Sequence, residues 1–357
     1  MVSRRNLQTA VIIGSIMLSM VGSRVVAVTY YLAVDIPSTL GGADYTDDQL
    51  VRSDNAVYAL TAALPAGAQP AAIHRRSDGL WLLAPSHPVN LGGIEFEPRD
   101  VCSYDGATFV MFLDGSAVGV PDYARIDALF LDGGDLVLSF DVPVSLAGVE
   151  YSRSDLVRLS AGTFSLYWDA EGAGVPSYAN VVGADRDSGG TLVVSFDVPT
   201  NISGAEFLPG QLVRWNGSFS SFFADPAWPP SAQLRDFSFV PAPGAVPDGG
   251  AFPGVPLTVN ASGGQLVLSW GTSCAKTESD YEIYEGTLGS YYSHTQKFCT
   301  TGGASTKTFP QPAGSNYYLV VPKNADKEGS YGRSSGGAEI PQGTSACLPQ
   351  QIALACP

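Results

Sequence analysis

The stretch Leu138-Ser139-Phe140-Asp141-Val142-Pro143-Val144 decides the reading of this chain, because it returns as Val194-Ser195-Phe196-Asp197-Val198-Pro199-Thr200. Looser copies are Leu83-Ala84-Pro85-Ser86-His87-Pro88-Val89 and Ala33-Val34-Asp35-Ile36-Pro37-Ser38. Pro37, Pro88, Pro143 and Pro199 lie 51, 55 and 56 residues apart, which is a repeat period and not a coincidence of composition. A second element follows each copy: Gln49-Leu50-Val51-Arg52, Asp100-Val101-Cys102-Ser103, Asp155-Leu156-Val157-Arg158 and Gln211-Leu212-Val213-Arg214. A third comes after a turn, as Thr108 to Phe112, Thr163 to Tyr167 and Ser218 to Phe222, with Asp105-Gly106 and Asn216-Gly217 as hairpin signals. A fourth follows Pro70, Pro121, Pro176 and Pro230.

Each unit therefore reads as about four short strands, the size of a propeller blade. The phase of the chain adds an expectation. If the fourth element is the innermost strand, its last copy, Leu234 to Val240, has to join the first three strands of the chain and close a ring without free edges. The alternative is an open stack of sandwich-like or solenoid repeats.

Ile126-Asp127-Ala128-Leu129-Phe130, followed by Gly133-Gly134-Asp135-Leu136-Val137-Leu138, resembles the start of a blade in hemopexin-type four-bladed propellers. The resemblance implies shape alone, and the closing disulfide of that family is missing. The repeat as a whole also resembles tandem units of secreted bacterial proteins of unknown role, which implies no activity.

Beyond a Pro/Gly-rich linker the pattern changes. Leu266-Val267-Leu268-Ser269-Trp270, Asp280-Tyr281-Glu282-Ile283-Tyr284 and Asn316-Tyr317-Tyr318-Leu319-Val320-Val321 read as strands. With the closing Glu328 to Ser335 segment they resemble a bacterial extracellular fibronectin type III domain, which implies a β-sandwich acting as a spacer or weak binder. The expected fold is all-β, with a four-bladed β-propeller-like repeat domain at 28–242 and a linker at 243–255. A fibronectin type III-like domain at 256–342 and a cysteine-containing tail at 343–357 follow.

Residues 1–27 read as a secretion signal. Arg4 and Arg5 precede an apolar run from Ala10 to Val21, and Val25 and Ala27 take the small-residue positions of a cleavage site. The apolar run is shorter than the roughly 20 residues of a membrane span, although Arg24 near the cut leaves an uncleaved anchor as the alternative. The expected location is secreted or at the cell surface, with the periplasm as a variant and no stable membrane insertion after cleavage.

Charged residues are only 15% of the chain, while Gly and Pro number 40 and 25, so short strands and tight turns are favoured over long surface helices. A net charge of -15 excludes nucleic acid as a partner, because phosphate binding needs a positive surface. Cys274, Cys299, Cys347 and Cys356 form an even set that an oxidising compartment would bridge. Neighbours along the chain suggest Cys274 with Cys299 and Cys347 with Cys356, among three connectivities.

Candidate chemistry is sparse. His74, His87 and His294 lack metal-ligand spacing, and Cys102 replaces Val51, Val157 and Val213 of the other units, as a buried residue would. No cofactor is expected, save for a Ca²⁺ ion if acidic residues converge. Asp127, Asp185 and Asp187, on or near the fourth strands, are the candidates, and Asp44, Asp47 and Asp48 form a further cluster; solvated turn carboxylates are the default reading of all of them. Tyr123, Trp168, Tyr178 and Trp228 stand outside the tight repeat core and can stack on sugars. Asn201, Asn216 and Asn260 begin Asn-x-Ser sequons.

No acid-base pair or nucleophile motif is fixed. The sequence thus favours a non-catalytic binding, adhesion or scaffold protein with an extracellular polysaccharide or protein ligand. The alternative is a secreted hydrolase with paired carboxylates in the propeller channel.

Overall fold

The computed structural model describes residues 29–352 apart from positions 55, 188, 189, 226, 227, 230, 231, 241, 250–253, 276 and 277. The expected leader at 1–27 and Cys356 lie outside the described residues. Every regular element among the described residues is a β-strand.

Four antiparallel four-stranded sheets account for the repeats. From the inside outward, the second unit runs Pro70–Arg75, Trp81–Pro85, Val101–Tyr104 and Phe109–Leu113. The third runs Ile126–Asp132, Asp135–Phe140, Leu156–Ser160 and Thr163–Trp168, and the fourth Val181–Arg186, Leu192–Phe196, Leu212–Trp215 and Phe219–Phe223. The first unit is spliced: Leu234–Phe239 supplies the inner strand, followed by Thr29–Val34, Gln49–Asp54 and Val57–Ala63. Tyr31 pairs with Ser238 and Leu32 with Phe237 across this seam.

The inner strands touch in a ring. Pro70–Arg75 lies against Ile126–Asp132, that strand against Val181–Arg186, that against Leu234–Phe239, and the last against Pro70–Arg75. This propeller-like closure is reflected in four apolar cores, one between each pair of neighbouring units. Leu82 and Ala72 meet Leu138 and Val157; Phe130 and Val137 meet Val194 and Val213. Leu83 and Cys102 meet Tyr31 and Leu50, while Val193 and Leu212 meet Leu32 and Val51. Second strands such as Leu192–Phe196 are buried on both faces and so read as nearly continuous apolar runs, interrupted here by Ser195. The outer strand Phe109–Leu113 is half-exposed and alternates.

Each unit also carries a two-stranded hairpin between its second and third strands, which raises the expected four strands per unit to six. The hairpins are Ser38–Leu40 with Ala43–Tyr45, Val89–Leu91 with Ile94–Phe96, Val144–Leu146 with Val149–Tyr151, and Thr200–Ile202 with Ala205–Phe207. The repeated proline ends the main sheet pairing, because it has no amide to donate. Both central residues of each turn have positive φ, for example 51° at Ala147 and 82° at Gly148, as a two-residue turn matched to strand twist requires.

The C-terminal part holds two three-stranded antiparallel sheets. One orders Thr258–Ser262, Gln265–Ser269 and Thr306–Pro310; the other orders Thr295–Phe298, Asp280–Thr287 and Asn316–Lys323. Leu268 and Trp270 of the first side pack on Tyr281, Ile283 and Val320 of the second. These six strands are one fewer than an immunoglobulin-like sandwich of seven. The segment expected to close it, Glu328 to Ser335, makes only isolated bridges, Glu328 with Lys323 and with Gln350, and Arg333 with Glu339.

The disulfide pairing differs from the neighbour-to-neighbour expectation. Cys299 bonds Cys347, with Cα atoms 5.6 Å apart, and Cys274 is also disulfide-bonded. The strand Thr295–Phe298 delivers Cys299 to the edge where the tail passes, so spatial proximity overrides sequence spacing. The C-terminal module and the ring meet at Arg75, whose guanidinium forms a two-pronged pair with Asp326 at 3.1 and 3.2 Å.

Candidate functional site

The fourfold ring brings one backbone amide from each unit toward a common axis. Asp236, fully buried on the inner strand of the first unit, accepts all four. Its Oδ2 takes the amides of Ile73 at 2.9 Å and Leu129 at 3.2 Å; its Oδ1 takes those of Phe237 at 2.7 Å and Ala184 at 3.3 Å. The other units carry Ala72, Ala128 and Gly183 at the equivalent position, which leaves the space. A Cβ on Gly183 would come within 3.2 Å of Asp236 Oδ1 and 2.5 Å of Ser195 Oγ. Burial pushes the Asp236 carboxyl well above the usual carboxylate range, with the amides of Ile73, Phe237 and Leu129 opposing the shift.

Two residues along, Ser238, His74 and Asp185 meet. Ser238 Oγ donates to Asp185 Oδ2 at 3.1 Å and lies 3.3 Å from His74 Nδ1. His74 Nδ1 is itself 3.8 Å from Asp185 Oδ2. A hydrolytic triad needs the imidazole to bridge serine and carboxylate through opposite nitrogens. Here both partners face the same nitrogen, and the group is a buried polar knot. Burial lowers His74 to about 4 and raises Asp185 to about 7.

The repeated aspartate of the opening motif now has a role. Asp35, Asp141 and Asp197 accept the backbone amides of Gln233, Arg125 and Asn180 at 2.8 to 2.9 Å, at the entry to three inner strands. These clamps frame a cavity of about 390 Å³ at the start of the inner strands. Arg125, Asp127, Asn180, Gln233 and Arg235 line it. Asp127 accepts from Ser139 Oγ at 2.8 Å and from the Asn180 side-chain Nδ2, and burial raises its carboxyl to about 7. Arg235 contacts the Asp35 carbonyl at 3.3 Å through Nη2, and Arg125 Nη2 stands 3.6 Å from Asp141. Four buried polar atoms here make no hydrogen bond: Arg125 Nε, Arg235 Nε, Asn180 Oδ1 and Gln233 Oε1.

At the rim, the repeated turns Pro121 to Arg125 and Pro176 to Asn180 carry Tyr123 and Tyr178, which are 62% and 51% exposed. The backbone carbonyl of Tyr178 accepts from Arg153, another lining residue. The other two expected aromatics pack inward instead. Trp168 lies 6.0 Å from the Trp215 ring, and Trp228 donates to the Ala232 carbonyl at 2.9 Å.

The three calcium candidates are not brought to one place. Asp127 lines the cavity just described, whereas Asp185 and Asp187 line a cavity of about 710 Å³ at the opposite end of the inner strands. Asp187 accepts from Arg214 at 2.6 Å. Among the described residues no group of three His, Cys, Asp or Glu converges as a metal site. His87 is exposed beside Ser86, and His294 is buried between Tyr317 and the Pro341 carbonyl. Cys102 is buried, with its thiol on the Leu83 carbonyl and its pKa pushed up to about 12, the setting of an inert core residue. Sequence reading missed Asp236, Arg125 and Arg235; a lone acid in an apolar inner strand was the available signal for the first.

No family model and no curated protein matches the sequence. Among solved structures, the extracellular domain of the hybrid two-component system BT4673 from B. thetaiotaomicron is similar at 8% identity and a TM-score of 0.28, covering 92% of this chain and 57% of that one. The corresponding domain of BT3049 from the same organism gives 12% and 0.25, covering 90% and 44%. A catalytically inactive virginiamycin B lyase from Staphylococcus aureus with quinupristin gives 9% and 0.27, covering 68% and 92%. This chain thus spans about half the length of the two Bacteroides chains, and likenesses of this strength transfer no property to it. The Cys299–Cys347 bond fits an oxidising, extracellular compartment, and among the described residues no helix is long and apolar enough to cross a membrane.

Proposed function

We propose that this chain is a secreted, non-catalytic binding protein whose repeats form a four-bladed propeller with its ligand site at the start of the inner strands. The C-terminal module is read as a fibronectin type III-like spacer. The ligand class is an extracellular polysaccharide or protein.

The observation that carries this reading is the 390 Å³ cavity itself, lined by Arg125, Asp127, Asn180, Gln233 and Arg235. The cavity falls within the range of small-ligand pockets, roughly 300–1,000 Å³. Its walls belong to a closed ring of sheets, so the site is already formed before a ligand arrives.

Hydrolysis is the second reading, favoured by one observation. Asp127, with its carboxyl raised to about 7, faces the same cavity as Asp141 and Asp197. Both Asp127 oxygens are engaged by Ser139 and Asn180, which suits a structural acid better than a proton donor.

The test is a calorimetric screen of the mature full chain against polysaccharides and secreted proteins, with and without Ca²⁺. A saturable ligand lost in Tyr123→Ala and Tyr178→Ala supports the reading. A ligand indifferent to both variants moves the site elsewhere. Turnover that disappears in Asp127→Asn, with binding retained, replaces the reading by the hydrolase.

A further inference from the structure

The C-terminal module buries two carboxyl groups against one phenol. Glu282, on the strand Asp280–Thr287, and Glu328, beyond the last strand, are both fully buried. Glu282 Oε2 lies 2.9 Å and Glu328 Oε2 2.7 Å from the Tyr284 hydroxyl. That hydroxyl has one hydrogen to give, and its oxygen also accepts the Cys347 amide at 3.0 Å. It cannot bond two ionised carboxylates at once, so the contact closes only with one further proton on the pair. Glu282 is the better holder. Glu328 Oε1 already accepts from the Tyr331 hydroxyl at 2.6 Å and from Gln342 Nε2, whereas Glu282 Oε1 has no hydrogen bond and only Lys323 Nζ at 3.6 Å. Burial and the Glu328 neighbour push Glu282 up to about 8, with Lys323 opposing. His294, whose ring faces Tyr284 and Tyr331, is pushed down by burial and bonds the Pro341 carbonyl through Nε2. Glu339 is engaged by Ser330 Oγ and the Tyr331 amide.

Glu328 opens a stretch of chain that bonds to the segment leaving the ring, residues 242–247, which is buried throughout. The Ser330 amide donates to the Gly244 carbonyl at 2.8 Å, and Gln351 Nε2 donates to the Val240 carbonyl at 3.1 Å. Glu328 also gathers the far end of the stretch, its amide on the Pro349 carbonyl and its carbonyl under the Gln351 amide. We propose that residues 328–351 are a proton-held strap: the proton shared by Glu282 and Glu328 fastens the strap over the segment joining ring and module, and its loss loosens both. The Cys299–Cys347 bond keeps a loosened strap tethered for its return. The inference does not depend on where a ligand binds.

The strapped state binds one proton more than the loosened one, in which both acids return to the ordinary range of about 4.3. Hold is therefore complete below that value and falls by about tenfold per pH unit above it, levelling off once pH passes about 8. The experiment is hydrogen exchange on the mature full chain, read by mass spectrometry on peptides from 328–351 and 242–247, with Gln265–Ser269 as control. Each rate is divided by that of the unfolded chain at the same pH. Between pH 6.5 and 8, above the titration of His294, protection of the strap and the joining segment should fall at least about tenfold while the control holds. Glu282→Gln and Glu328→Gln each put an amide donor where the proton was, and either should keep the strap protected across the range. Equal protection at both pH values in the unsubstituted chain overturns the strap. So does a fall shared equally by Gln265–Ser269, which is loosening of the whole module. A fall that persists unchanged in whichever variant folds belongs to another group and overturns the pair.

Discussion

The carboxylate of Asp236 accepts the backbone amide of Leu129 at 3.2 Å, from the unit on the far side of the ring. The same side chain takes amides from the two flanking units and from its own strand. One residue thus fastens four sheets at the axis. Asp236→Ala leaves these donors without a partner in the interior, at about 1–3 kcal/mol for each group that water cannot reach. A loss of about 3 kcal/mol or more is expected in chemical denaturation, and a smaller one for Asp236→Asn, whose carbonyl still accepts. Unchanged stability in both variants would sink the account.

Acid should strengthen the ring within a defined window. Asp127 and Asp185 titrate near 7 when folded, above the unfolded value near 4, and Asp236 shifts in the same direction. The folded state binds more protons, so this stability is complete below about pH 4 and is lost as pH rises through 7. His74, lowered to about 4, works the other way and loses its contribution as pH falls from 6.5 through 4. Three acids outweigh one imidazole. The melting temperature should be higher at pH 5 than at pH 8, and Asp127→Asn should flatten the difference.

The hairpin turns hold two residues at a conformational cost. Ala147 and Ser203 have φ of 51° and 52° where the first two units have Gly41 and Gly92. Left-handed backbone costs a non-glycine residue about 1–2 kcal/mol, against a smaller entropic penalty for glycine. Ala147→Gly and Ser203→Gly should each raise stability by up to about 1 kcal/mol, seen as a higher melting temperature. Lower values for both would contradict the strain.

Thiol chemistry should separate the two parts of the molecule. Cys299–Cys347 closes a loop spanning 48 residues, worth about 4 kcal/mol in the chain-entropy account. Mild reductant should loosen the C-terminal module while the ring keeps its melting transition. Cys102 should ignore a thiol reagent until the ring unfolds, because its thiol is buried and held far toward the protonated form. Rapid native labelling of Cys102 would show that the core between the first two units opens.

The two-pronged contact of Arg75 with Asp326, about 15% exposed on each side, is one polar tie between ring and module, beside the Ala325 amide on the Ser77 carbonyl at 3.2 Å. Asp326→Ala should speed protease cleavage in the 243–255 segment and leave ring stability within about 1 kcal/mol. Cleavage at the parent rate would mean that the other contacts hold the module in place.

What the chain reveals to a reader follows from what repeats. The Phe-Asp-Val-Pro motif was legible because each aspartate repeats one local job, clamping the entry to an inner strand. The hairpin was equally repetitive, as Leu91-Gly92-Gly93-Ile94-Glu95-Phe96 and Leu146-Ala147-Gly148-Val149-Glu150-Tyr151, yet three-residue strands fall below what alternation can resolve. Asp236, Arg125 and Arg235 were invisible for the opposite reason. Each departs from its own repeat position, and comparison among units highlights agreement. The pairing of Cys299 with Cys347 depends on where the tail crosses a sheet edge, which spacing along the chain does not encode.

The spliced first unit has a consequence for how the chain can be rewired. Leu234–Phe239 and Thr29–Val34 lie side by side in one sheet, so the repeat domain's two termini are neighbours in space although some 200 positions part them in sequence. The ring is topologically a loop with a nick. Moving the nick to the exposed turn at Asp105-Gly106, and joining the old ends through a short bridge, would leave every strand pairing intact. The identity of the first residue would then be a matter of history, and the circle itself the inherited object.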